Sequence, residues 1–480
     1  MAAARLAALG SRSMGSDASR EALDVIVRDE AGLVLSSLVA TFGDFDLAED
    51  ALQDAVAAAL ERWPKDGVPD RPAAWLTVTA RRRALDRLRH RAMHAKKAEA
   101  LRANEELRRA ELATRETDVS DERLRLLFTC CHPALPPEAR VALTLRTLGG
   151  LSTEAVARAF LAPVATLAKR LDRAKRKIHE ARIPYRVPLE TEWAARLDSV
   201  LAVLYLIFNE GYSATGADPD ARRSLCEDAI RLARVLAALL PREGEVQALL
   251  ALVLLHHARR DARLGADGAL VPLDEQDRRS WRRDELVEGL AALRAAASCR
   301  ERGPYQVQAA IAAAHVLAPT AAETPWPTIA VLYAELETLT PSPVVRVNRA
   351  VAEGRARGAQ AGLALLAELE SDNTWRKLSD YQPYYAAYAD LLRRAGRVEE
   401  AAAAYRSAID LCRGEPERRF LESRLLRLST GPTSPEGRDL PQPAKNLDPD
   451  HPDRPGCSPG AGLRLCRDTF HVAGGVGPAR

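Results

Sequence analysis

Apolar residues recur every three to four positions along most of this chain, and that spacing predicts helices almost from end to end. Between Glu21 and His94, the residues Leu23, Ile26, Val27, Leu33, Val34, Leu38 and Phe42 mark one amphipathic stretch that breaks at Gly43. A second helix is predicted from about Asp46 to Trp63, with Ala48, Leu52, Ala55, Val56 and Leu60 on one face and strongly acidic first turns. Three prolines and a glycine make Pro64 to Pro72 a loop, and a third helix runs from near Ala73 to about His90.

Residues 95–120 are highly charged with sparse hydrophobics and are predicted to be a linker. A second compact unit follows over 121–186, with helices at Asp121 to Cys131 and Glu138 to Leu148 separated by the break His132 to Pro137. Gly149 and Gly150 stop the latter helix. Ser152 is placed to cap a short helix through Phe160, Leu161 and Ala162 turn, and a longer helix starts at Pro163 and reaches about Arg182. From 190 to 428 the chain is nearly all amphipathic helix with short Gly and Pro breaks. Within it, Ala401, Tyr405 and Ala408 follow Gly396 at the spacing of a tetratricopeptide repeat's second helix. Residues 1–20 are expected to be a disordered leader, with Met14 an alternative initiator to Met1, and residues 429–480, rich in Pro and Gly, a disordered tail.

Composition adds three constraints. The 480 residues are 47% hydrophobic but only 5% aromatic, which together with the periodicity predicts an all-α protein. Seven cysteines, an odd number without a pairing pattern, predict a reducing compartment, the cytoplasm. No apolar run reaches the ~18 residues of a membrane helix. The net charge of +3 hides local clusters. Between Trp75 and Lys97 eight basic residues face the single acid Asp86, and between Pro163 and Arg182 seven basic residues face Asp172 and Glu180. A basic helix alone is usually ordinary surface. Preceded by a short helix and a tight turn, it predicts a DNA-binding helix-turn-helix.

No phosphate loop, Gly-rich dinucleotide fingerprint or metal-ligand spacing is present, so neither an enzyme nor a cofactor is predicted. Cys130, Cys131 and His132 are expected to pack rather than bind metal, because a structural site takes four ligands and no second cluster completes the set. His256 and His257, in an apolar helix, are read as structural.

The segment LSTEAVARAFLAPVATLAKRLDRAKRKI, Leu151 to Ile178, resembles the minus-35-binding domain of extracytoplasmic-function sigma factors. Pro163, Val164, Thr166, Leu167, Arg170, Leu171, Arg173 and Ala174 occupy that family's recognition-helix pattern, while Lys175 stands where the family often has Arg and Leu161 replaces a turn glycine. The resemblance implies minus-35 contacts by Ser152, Ala165, Thr166, Lys169, Arg170, Arg173 and Lys177. DLAEDALQDAVAAALERW, Asp46 to Trp63, is similar to the family's polymerase-docking helix, which implies contacts by Asp46, Glu49, Asp50, Gln53 and Asp54. AAWLTVTARRRALDRLRH, from Ala73, resembles the segment that opens and reads the minus-10 element and implies roles for Lys65, Arg71, Trp75, Arg81, Arg82, Asp86 and Arg87. Arg82 sits where many relatives carry Asn.

LYLIFNEGYSAT (Leu204 to Thr215) and FTCCHPAL (Phe128 to Leu135) look like hallmarks of the group with a tetratricopeptide-like C-terminal extension of DUF6596 type, often beside a DGPF-type protein. Asn209, Glu210, Gly211 and Tyr212 are candidate contacts of that extension, with a Gly-terminated helix and a packed Tyr as the plain alternative. The resemblance implies three helical parts: sigma region 2 at 21–94, sigma region 4 at 121–186 and a regulatory array at 190–428. Implied partners are core RNA polymerase and promoter DNA. The competing readings are a tetratricopeptide-containing activator that binds duplex DNA without replacing a sigma subunit, and a signalling scaffold.

Overall fold

The computed structural model describes residues 30–94, 119–159, 162–181, 183–212, 219–299, 302–371, 378, 380–412 and 414–429. The predicted leader lies outside these residues, as do the linker and the tail except for Val119 and Ser120, which open a helix, and Ser429, which ends one. Among the described residues the secondary structure is helical throughout, apart from one isolated bridge between Leu264 and Leu270. The helices form two compact units: Met1–Tyr212 with Gly216–Val253, and Ser213–Thr215 with Leu254–Arg480.

In the first unit, α1 (residues 30–42) ends before Gly43 and α2 (Phe45–Asp66) starts at Asp44, whose Oδ1 accepts the N–H groups of Asp46 at 2.9 Å and Leu47 at 3.1 Å. Ala48, Ala51, Ala55 and Ala59 form a fully buried stripe on α2. Small side chains there let α3 (Pro72–His94) lie close, meeting them with Leu76, Ala80, Ala84 and Leu88. Helix α2 continues one turn past its predicted end at Trp63. Pro64 forfeits only the bond to the carbonyl of solvent-facing Leu60, and Gly67 closes the turn with its N–H on the Trp63 carbonyl at 3.0 Å. Lys65 therefore lies on the helix rather than in the loop.

Helices α4 (Val119–Cys130) and α5 (Pro137–Thr147) build the base of the next part. Cys130 and Cys131 are fully buried between them, with Sγ 3.3 Å from Thr147 Oγ1 and 3.4 Å from Thr144 Oγ1. Burial pushes both thiols up, Cys131 to about 11. Such thiols are inert packing groups. The Gly149–Gly150 stop is a glycine cap, with Gly150 in the left-handed region at φ +69° and the Leu151 N–H on the Leu145 carbonyl at 3.2 Å. Helices α6 (Thr153–Ala159) and α7 (Val164–Glu180) follow.

Helices α8 (Glu190–Tyr212) and α9 (Pro219–Leu239) belong to this same unit, although the Pro184 to Pro188 stretch reads as a boundary. Arg196 donates to the Phe128 carbonyl at 2.7 Å, and Ser199 both donates to the Cys131 carbonyl and accepts from Arg140, each at 2.6 Å. Phe128 packs its ring 5.4 Å from Trp193. Arg231 of α9 donates to the Gly149 carbonyl at 3.0 Å, bracing the turn before the short α6.

The division between the units falls within α10 (Gly244–His257). The second unit is a run of paired helices: α11 (Arg283–Ala297), α12 (Pro304–Leu317), α13 (Trp326–Leu339), α14 (Pro343–Arg357), α15 (Ala359–Ser371), α16 (Gln382–Arg394), α17 (Val398–Asp410) and α18 (Glu415–Ser429). Neighbours in sequence pack on one another, as in α14 on α15 and α16 on α17. Ala401, Tyr405 and Ala408 of α17 are all buried against α16, across the turn at Gly396. His257 is buried, its Nδ1 2.8 Å from Glu285 Oε2 and its Nε2 accepting from Arg260 at 2.5 Å, a structural network.

Candidate nucleic-acid interface

Helix α7 sorts its residues by face. Leu167, Leu171, Ala174 and Ile178 turn inward at helical spacing onto α5 and α6. Ala165, Thr166, Lys169, Arg173 and Lys177 are exposed on the other side, and Arg170 is half-buried. Pro163 caps the helix, so the exposed first turn presents free backbone N–H groups and the positive dipole end. The preceding α6 is capped by Ser152, exposed, whose Oγ accepts the Ala155 N–H at 3.1 Å. Phe160 and Leu161, in the turn, lie outside the described residues. A short helix followed by a cation-faced helix with a free N-terminus suits the major groove, where phosphate contacts set position and base contacts set sequence.

A second basic surface lies on α3. Arg82 is exposed, Arg81 half-buried, and exposed Asp86 pairs with Arg89 at 3.3 Å. Lys65 and Arg71 are exposed on either side of the loop between α2 and α3. Trp75 packs edge-on to Trp63, ring centres 5.5 Å apart. Arg87 differs from its neighbours. The resemblance assigns it to DNA and assigns Asp50 and Asp54 to polymerase, whereas the structure pairs these three with one another. The hydrogen bond to Asp54, helped by the charge of both carboxylates, holds the Arg87 guanidinium above its ordinary value against the small cost of burial.

The acidic face of α2 is likewise engaged. Gln53 is exposed, but Asp46 and Glu49 meet Lys175 of α7, at 2.8 Å and 3.0 Å, and Glu49 also faces Arg146 of α5 at 3.8 Å. Periodicity did not single out Lys175 or Arg146 for this role; the departure from Arg at Lys175 was the only mark in the sequence. On α8, Asn209 is buried and its Nδ2 has no hydrogen-bond partner. Gly211 lies in the last turn of the helix, whose last described residue is Tyr212, and the Tyr212 ring stacks on Phe208 at 5.2 Å. Desolvation holds the Glu210 carboxyl above the usual range. Among the described residues no group of three His, Cys, Asp or Glu could hold a metal ion, and no helix is long and apolar enough to cross a membrane.

These surfaces define a helix-turn-helix DNA-binding protein. Sequence comparison carries the assignment further. Residues 26–93 match sigma-70 region 2, residues 125–178 match sigma-70 region 4, and residues 196–297 match a family of unknown function, DUF6596. The chain is 41% identical over 403 residues to "Uncharacterized protein R00370" of Rhizobium meliloti (strain 1021), covering 83% of this chain and 94% of the relative. No solved structure matches. The chain carries sigma-70 regions 2 and 4 followed by a DUF6596 segment, a combination that supports a sigma factor like those of the extracytoplasmic-function class with a C-terminal extension. These regions imply a part in transcription initiation and point to a non-enzymatic regulator.

Proposed function

We propose that this chain is a sigma subunit that binds core RNA polymerase through α2, engages the minus-10 element with α3 and the loop before it, and reads the minus-35 element with α7. The observation that carries this is the clean division of α7, with Leu167, Leu171, Ala174 and Ile178 inward and Thr166, Lys169, Arg173 and Lys177 outward. The minus-10 step is base flipping: extruding a base costs a few kcal/mol of unstacking, which contacts to the base and to the single-strand backbone offset. Arg81 and Arg82 suit the backbone, and Trp75 lies beside the loop that would receive the base. Asp46, Glu49, Asp50, Gln53 and Asp54 line the surface offered to polymerase.

The helices from α11 onward are read as a tetratricopeptide-like regulatory array, supported by the buried Ala401, Tyr405 and Ala408 of the α16–α17 hairpin. A DGPF-type protein as partner and a cytoplasmic location complete the reading. Asn209 to Tyr212 would serve as contacts of the extension.

Run-off transcription with core polymerase tests the proposal. Promoter-dependent transcript from the full chain, lost or strongly reduced with Arg173→Ala, is the expected result. Duplex binding without any transcript would move the chain to the activator class.

A further inference from the structure

The acids of α2 that would face polymerase are covered by the chain's own DNA-reading part. Lys175 Nζ lies 2.8 Å from Asp46 Oδ1 and 3.0 Å from Glu49 Oε2, and both the Lys175 and Glu49 side chains are only 13% exposed. Burial alone would lower the Lys175 ammonium, but the charge of Glu49 and hydrogen bonds to Asp46 and Glu49 outweigh it and hold it above its ordinary value. Around this pair, Arg123 faces Glu30 at 3.8 Å and the Tyr185 hydroxyl sits 2.9 Å from the Ser36 carbonyl and 3.2 Å from the Glu122 carbonyl. Gly32 of α1 lets the Leu148 carbonyl approach so closely that a Cβ there would stand 2.9 Å from it.

This interface is docked rather than fused. Between α1, α2 and the end of α5 lies a solvent-open groove of about 270 Å³, lined by Leu35, Leu52 and Val56 on one side and Arg146, Thr147 and Gly150 on the other, with Glu49 among its walls. Glu49 Oε1 is buried there without a hydrogen-bond partner. A groove left open to solvent and an unsatisfied carboxylate oxygen lack contacts that a filled core would make. Helix α8 is tied to α4 and α5 by more bonds, from Arg196 to the Phe128 carbonyl, from Ser199 to the Cys131 carbonyl and from Arg140 to Ser199, although Arg140 Nε and Arg196 Nε are also buried without a partner.

We infer that the acid face of α2 is a docking surface for a basic helix, that its resting occupant is α7 of the same chain through Lys175, and that core polymerase must displace α7 to bind. The inference rests on the sigma reading for the identity of the displacing partner. The Lys175 contact lies on a different side of α7 from Thr166, Lys169 and Arg173, so the closed chain keeps its duplex-reading face exposed while its polymerase face is shut. Polymerase then meets only the open fraction, and its apparent affinity falls in proportion to that fraction.

The test uses the full chain and core polymerase. A zero-length carbodiimide cross-link, read by peptide mass spectrometry, should join Lys175 to Asp46 or Glu49 in the free protein and disappear as polymerase is added. Lys175→Ala should tighten polymerase binding about tenfold, the change expected when a chain open one time in ten becomes mostly open, and Lys175→Arg should keep the wild-type affinity. Absence of the cross-link in the free chain, or its persistence in a polymerase complex with equal affinities for wild type and Lys175→Ala, overturns the latch and leaves the sigma reading standing. A cross-link that forms while neither wild type nor Lys175→Ala binds polymerase overturns the competition because the sigma reading itself has failed.

Discussion

Arg87 grips Asp54 with two nitrogens, Nε at 3.2 Å and Nη2 at 2.8 Å, while its Nη1 reaches Asp50 at 2.5 Å. One guanidinium on α3 thus clasps two carboxylates a turn apart on α2. The pair is partly exposed, so its removal is expected to cost about 1 kcal/mol rather than the several of a buried pair. Arg87→Ala should lower the thermal midpoint more than Arg82→Ala, and Arg82→Ala should weaken binding of a minus-10 single strand more than Arg87→Ala. Melting curves and fluorescence anisotropy measure both orderings, and a reversed order would return Arg87 to the DNA surface.

The tie between α8 and the helix-turn-helix part predicts a larger effect. Arg196→Ala leaves the buried Phe128 carbonyl without its donor, a loss of about 2 to 3 kcal/mol from an unsatisfied buried group. Denaturant unfolding of the full chain should show that drop in the transition of the first unit, and a change under about 0.5 kcal/mol would mean that the Arg196 contact contributes little.

Gly32→Ala separates helix propensity from packing. In an isolated helix the change is worth about 1 kcal/mol in favour of α1. Here the new methyl meets the Leu148 carbonyl oxygen at 2.9 Å, so α1 and the end of α5 must part. The chain should stay folded by circular dichroism, yet lose the Lys175 cross-link to Asp46 and Glu49. A retained cross-link would show that the close approach yields elsewhere.

His315 makes the second unit sensitive to acid. Its ring lies edge-on to Trp326 at 5.3 Å, and burial, followed by the charges of Arg259, Arg278 and Arg355 against Asp274, holds it down to about 3. The folded value is below the ordinary 6.5, so the unfolded chain binds the extra proton first. Stability from this residue is whole above pH 6.5 and is lost as the pH falls toward 3. The limiting slope is about 1.4 kcal/mol per pH unit, made shallower by the solvent that the half-buried ring retains. Unfolding measured between pH 7 and 5, at and below that ordinary value, should show a flatter dependence for His315→Phe than for wild type.

The elements most legible in the sequence were those whose signals are local. Pro163 and the repeat of Leu167, Leu171, Ala174 and Ile178 mark α7 and its inner face, and Gly149 with Gly150 marks the end of α5 within a residue or two. Asp44 as the cap of α2 and the extra turn past Pro64 were less visible, since a proline reads as a stop even where the only bond it removes is at an exposed position. Contacts between distant positions left no periodic trace. Lys175 is one of six Lys and Arg residues on its helix, and only the fold brings Asp46 and Glu49, more than a hundred residues earlier, to its amine. Arg196 and Ser199 likewise look like ordinary helix residues until Phe128 and Cys131 turn their carbonyls toward them.

The bond from Arg231 to the Gly149 carbonyl bears on how the proposed promoter reading by α7 could be moved between proteins. A graft that carries only residues 119–186 would bring α7 but leave behind the strut that steadies the turn before it, along with the donors for Phe128 and Cys131. The transplantable cassette is the longer block through α9, and chimaeras cut after Leu239 should keep an α7 that points where the donor's did.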